Sequence, residues 1–64
     1  MDFIQTNRST WVRISDVSVV WKDSLNRILF TLRGDSQELH VRPDYQKNFL
    51  DRLGIYIPDT EAAP

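Results

Sequence analysis

The stretch Arg27 to Arg42, RILFTLRGDSQELHVR, decides how this chain folds. Ile28, Phe30 and Leu32 alternate with Arg27, Leu29, Thr31 and Arg33. After a Gly34, Asp35, Ser36 turn, Leu39 and Val41 alternate with Glu38, His40 and Arg42. A period of two on both sides of a turn specifies a β-hairpin with one apolar face and one decorated face. Two registers keep the same inner face. A two-residue loop at Gly34-Asp35 pairs Phe30 with Leu39 and Ile28 with Val41, and a four-residue loop from Gly34 to Gln37 also keeps the apolar set inward. The outer face tells them apart. The first register sets Arg27 opposite Arg42, where like charges repel, and so predicts a compensating Asp16 or Asp23, or an external anion. The second sets Arg33 against Glu38 and removes the conflict.

Upstream, Trp11 to Trp21 (WVRISDVSVVW) is rich in β-branched and aromatic residues. Its phase changes partway: Val12 and Ile14 share one parity, while Val17, Val19 and Trp21 share the other, and Val20 fits neither assignment cleanly. One straight strand cannot bury both sets. A bulge or corner at Ser15-Asp16 resolves the conflict, giving two short strands joined by a kink. Met1 to Thr6 reads as a short edge strand with Phe3 or Ile4 turned inward. Asn7 to Thr10 is a polar turn that also spells a glycosylation sequon. Lys22 to Asn26 (KDSLN) connects the second strand of the kinked pair to the hairpin.

Downstream, Pro43 to Leu53 (PDYQKNFLDRL) is the one predicted helix. Proline suits its first position and Asp44 complements the positive end of the dipole. Tyr45, Phe49, Leu50 and Leu53 make its apolar side, and Gly54 is placed to end it in a left-handed cap. Ile55 to Pro58 is apolar enough to pack back, and residues 59–64 read as a disordered tail. The predicted fold is α+β: a small curled antiparallel sheet of three to five short strands, with a C-terminal helix on its apolar face, in a single domain over residues 1–58.

Composition narrows the chemistry. At 64 residues the chain sits near the size where one core barely suffices. With no cysteine and one histidine, it offers neither a disulfide framework nor the usual metal-ligand clusters. No apolar run approaches the roughly 20 residues of a spanning helix, which points to a cytoplasmic chain without a membrane partner. Opening on Met1 without a recognisable tag, it reads as a complete small gene product. Basic and acidic residues nearly cancel, at net charge -1, so broad electrostatic attraction to nucleic acid is not expected. The bases are biased, six arginines to two lysines. Arginine offers a planar fork for carboxylates, phosphates and aromatic rings, although codon usage in a GC-rich genome gives the same bias.

No catalytic, metal-binding or cofactor-binding constellation is legible, and an enzyme is not expected. His40, the natural general base near neutral pH, falls on the outer hairpin face beside Leu29 or Thr31, where a solvated histidine is the simpler reading. Two glycines cannot build a phosphate loop, and seven scattered aspartates lack calcium-loop spacing. Arg33-Gly34-Asp35 resembles an integrin ligand, but Gly-Asp is ordinary turn chemistry.

The candidate partner-binding surface is the outer face: Trp11, Arg13, Arg27, Leu29, His40 and Arg42, since Arg and Trp are favoured interface anchors. An ordinary solvated face is the competing reading. Aromatic residues left outside the core, among them Trp11 or Trp21 with Tyr56, would suit self-association, as would an exposed edge strand.

Over Trp11 to Leu53, the order of β-hairpin, glycine turn, strand and helix resembles small flagellar proteins of the FlbD type. The rhythm is also similar to the N-terminal part of LytTR-type DNA-binding domains. The resemblance rests on hydrophobic pattern and carries over no functional residue. The leading expectation is a non-enzymatic protein-binding module: a small regulator, adaptor or inhibitor, with a phage or mobile-element origin as a base-rate guess. The alternatives are nucleic-acid binding through Arg13, Arg27 and Arg42 with Trp11 stacking on a base, and a homodimeric or larger structural subunit.

Overall fold

The computed structural model describes residues 2–59. Five antiparallel strands form two small sheets, with one helix after them. Strand β1 (Phe3–Asn7) pairs with β2 (Thr10–Arg13), and β3 (Val17–Lys22), β4 (Ile28–Leu32) and β5 (Leu39–Val41) form the second sheet in that order. Helix α1 (Pro43–Leu53) packs mainly beside β1.

The first hairpin is set by its turn and its inward pair. Asn7 Oδ1 accepts the Ser9 backbone N–H at 2.9 Å, an Asx turn that closes the loop. Ile4 lies opposite Val12, and both are buried. The register skips Thr6, the extra residue of a bulge. The Thr6 side chain is buried and its carbonyl accepts the Arg42 N–H at 2.9 Å, joining the first sheet to the β5–α1 junction. Of the two inward candidates, Ile4 is the one in the core, and Phe3 is on the outside.

The predicted kink is a 3-10 turn at Ile14–Asp16. It ends β2 and starts β3, and it is fastened at both ends. Ile14 N–H donates to Asp2 O at 2.6 Å, and Arg33 N–H donates to Asp16 O at 2.7 Å. One expectation here is corrected. Val17, Val19 and Trp21 do not share the inner face, because a second register shift lies between Val17 and Val19. Val17 and Val20 pack on the core, while Val19 is 54% exposed and Trp21 turns to the outer face opposite Leu29. A single bulged residue exchanges the faces of all those beyond it.

The central hairpin adopts the first of its two registers. Ile28 pairs with Val41, Leu29 with His40 and Phe30 with Leu39. Pairing then stops, and residues 33–38 form a wide exposed loop rather than a two-residue turn. Gly34, at φ 79°, supplies the left-handed position this loop needs. Asp35 N–H donates to Leu32 O at 3.0 Å, and Asp35 Oδ1 accepts the Gln37 N–H at 2.9 Å. The Arg33-Gly34-Asp35 triplet is exposed in this loop.

The core is Ile4, Val12, Ile28, Phe30, Val41 and Phe49. Phe30 and Phe49 stack at a tilt with centroids 5.1 Å apart, which ties α1 to the second sheet. Each such side chain contributes about 1.5–3 kcal/mol through burial, so a chain this small depends on every one. Tyr45, Leu50 and Leu53 flank Phe49 as predicted. The helix begins on Pro43 with Asp44 in its first turn, and it ends at Gly54 (φ 72°). Gly54 N–H donates to Asp51 O and Ile55 N–H to Leu50 O, each at 3.1 Å, so the last carbonyls are satisfied. Ile57 then packs back on the core, and Asp59 is held by Lys22 Nζ at 2.7 Å. Residues 60–64, the rest of the expected tail, lie outside the described residues.

Candidate functional site

The outer face of the second sheet is built from consecutive cross-strand pairs. Trp21 on β3 lies opposite Leu29 on β4, which lies opposite His40 on β5. Val19 lies opposite Thr31 in the adjoining row. Trp21, Leu29 and Thr31 are half-buried, whereas Val19 and His40 are exposed. Alternation explains the placement: their neighbours Ile28, Phe30 and Val41 fill the core, so these side chains must point away from it.

Arg27 and Arg42 fall one step beyond the last pair, Ile28 with Val41, and the ladder ends before they meet, Arg42 N–H bonding the Thr6 carbonyl instead. Arg27 Nε donates to Asp23 Oδ2 at 2.7 Å, and Asp23 Oδ1 accepts the backbone N–H groups of Arg27 and Leu25, each at 2.9 Å. The Arg27 backbone N–H, assisted by its guanidinium and the Leu25 N–H, holds the Asp23 carboxyl below its ordinary value. Of the two local carboxylates the sequence offered, Asp23 is the one used, because it shares the β3–β4 turn with Arg27. Asn26, at φ 60°, completes that turn.

The six predicted partner-binding residues are not one surface. Leu29 and His40 are cross-strand neighbours, and Arg27 stands just before the Leu29 strand, β4. Trp11 and Arg13 belong to the first sheet, opposite Gln5 and Phe3. There Trp11 is 59% exposed, and the Arg13 guanidinium lies 5.1 Å from the Phe3 ring centroid, a cation–π contact. The face on which nucleic-acid binding would rely is therefore divided between two sheets. Arg42 turns to a different neighbourhood, an open concavity shared with Asn7 and Arg8.

Sequence reasoning missed two parts of this surface. Trp21, one of the two tryptophans the sequence offers as left outside the core, takes the position beside Leu29 that Trp11 was expected to extend. The only cue was the ambiguity of Val20, which marks the bulge. The second is a cleft of about 260 Å³ between the sheets, where β5 stops pairing. Val12, Phe30 and Leu39 line its apolar part, with Thr10, Glu38 and His40 beside them. The sequence shows no sign of it, because it depends on where the β4–β5 ladder ends.

Among the described residues, no group of three or more His, Asp or Glu side chains is placed to hold a metal ion. No helix among them is long and apolar enough to cross a membrane. Comparison with protein-family models, with curated proteins and with solved structures finds no match. Any functional reading rests on the surface itself.

Proposed function

We propose that this chain is a non-enzymatic protein-binding module, a small regulator, adaptor or inhibitor, that docks through the outer face of β3, β4 and β5. The observation supporting this reading is the continuous row Trp21, Leu29 and His40, adjoined by Val19 and Thr31. An aromatic and aliphatic centre with polar and charged groups at its edge is the composition that excludes water from a protein contact. His40 and Arg27 supply the polar edge. A cysteine-free chain fits a reducing compartment, and the reading places the module in the cytoplasm.

The test is site-directed photo-crosslinking in extracts of the source cells. Photo-leucine at position 29 is expected to capture one defined protein, and capture is expected to disappear with His40→Glu. Capture of that protein from position 11 but not from position 29 would overturn the choice of face, and no capture from either would overturn the module.

A second reading, self-association, is favoured by the free edge of β3. Asp23 N–H donates to Arg27 O at 3.1 Å. Antiparallel alternation then turns the backbone groups of Trp21 toward β4 and those of Val20 and Lys22 toward the open edge. Two copies paired about Val20 would set Val19 of each against Trp21 of the other, and no two like charges would meet. Sedimentation of a concentrated sample is expected to show a dimer that Val19→Lys dissociates. A monomer throughout would remove this reading.

A further inference from the structure

The six arginines differ in what holds them. Arg13 lies against the Phe3 ring, Arg27 pairs with Asp23, and Arg33 donates to the Ser15 carbonyl at 3.2 Å. Arg52 also has an interaction of its own. Arg8 and Arg42 remain, and neither guanidinium has an ion pair or hydrogen bond among the described residues. These two line one concavity. It is an open space of about 420 Å³ at the β1–β2 turn, and its third lining residue is Asn7.

The Asn7 side chain is held by the β1–β2 turn. Its Oδ1 accepts the Ser9 N–H at 2.9 Å and the Ser9 hydroxyl at 3.3 Å. With the oxygen committed to the turn, the amide Nδ2 is left as a donor with no acceptor among the described residues. The three residues lining the concavity thus carry two guanidinium groups and one side-chain amide. The Thr6 carbonyl bond to the Arg42 N–H fixes the two backbones that carry them. Asp44 is the acidic residue nearest in sequence to Arg42, and it forms no ion pair with it.

We infer that Asn7, Arg8 and Arg42 form a binding site for a phosphomonoester dianion. One bidentate arginine saturates a planar carboxylate, whereas a tetrahedral phosphoryl group has further oxygens for a second fork and an amide. Two guanidinium charges match the two negative charges of a monoester near neutral pH. The site does not depend on the sheet face proposed above, since neither Leu29 nor Trp21 lines it.

The test is a titration followed by ¹⁵N-correlated NMR at constant ionic strength, with phosphoserine and inorganic phosphate as probes. Saturable shifts are expected at the Asn7 side-chain amide and at Arg8 and Arg42. Arg8→Gln and Arg42→Gln are each expected to weaken binding about tenfold, while Arg13→Gln leaves it unchanged. All three side chains are exposed, and the spectra of the variants report directly that they remain folded. Non-saturating shifts, or unchanged affinity in both Arg8→Gln and Arg42→Gln, would overturn the site. Equal affinity for acetate or for dimethyl phosphate would overturn its assignment to a phosphomonoester.

Discussion

The two hairpins that flank the core solve the same problem differently. In the first, β1 and β2 are joined by a two-residue turn that Asn7 closes, and on the outer face Arg13 covers Phe3 and Gln5 Nε2 reaches the Arg8 carbonyl at 3.2 Å, while Trp11 stays 59% exposed. In the second, β4 and β5 share only Ile28–Val41, Leu29–His40 and Phe30–Leu39 before a wide loop begins. On its inner face Ile28, Phe30 and Val41 are buried and Leu32 and Leu39 partly so, whereas the outer row runs from half-buried Trp21 and Leu29 to exposed His40. The same alternation that secures the core leaves a surface whose side chains lack internal partners. The first hairpin closes the fold, and the second presents a face.

That contrast can be broken most decisively from the inside. Phe30→Ala removes a ring that is 1% exposed and stacked on Phe49. A loss of about 3–5 kcal/mol is expected, comparable with the whole stability of a chain this size. Urea unfolding should therefore find the variant largely unfolded. Leu29→Ala, one residue away on the outer face, should cost under about 1.5 kcal/mol. If the two variants lost stability equally, the division into inner and outer faces would be wrong.

Gly54→Ala probes what holds α1 against the first hairpin. The glycine sits at φ 72°, and an added Cβ would meet nothing within 4 Å. The cost is therefore backbone strain alone, about 1 kcal/mol. Thermal unfolding should show a drop of several degrees, and an unchanged midpoint would mean the helix does not end in this cap.

The smallest expected effect sharpens the outer face. The folded-state value of the Asp23 carboxyl lies below its ordinary value. Its contribution is therefore fully present above the ordinary aspartate range and is lost as pH falls through the depressed folded value. Stability measured from pH 5 downward should fall less steeply in Asp23→Asn than in the parent. Parallel curves would mean that Arg27 is not held by Asp23 in solution.

Much of this arrangement was legible before any coordinates. Phe30 and Val41 were assigned to the core by a period of two, and Phe49 by its place on a helix opened by Pro43 and closed by Gly54. The corner at Ser15-Asp16 was visible because one strand cannot reverse its parity without a defect. The assignment beyond that corner differs: the phase change between Trp11 and Trp21 asks for one irregularity, and that segment has two, the 3-10 turn and the bulge at Ser18. Trp11 and Arg13 were joined to the wrong face because shared parity along a sequence says nothing about which sheet a strand enters.

The sequence by itself determined the helix, its Pro43 start and Gly54 end, and the inward set of the central hairpin, since local periodicity and special backbone positions are short-range properties. Only the tertiary structure decided the surface. Which sheet Trp11 and Arg13 enter, and that Arg8 and Arg42 line one concavity, depend on elements distant in sequence being brought together. Burial rewards both registers of the central hairpin alike. The choice between them is made by contacts that exist only once the chain has folded.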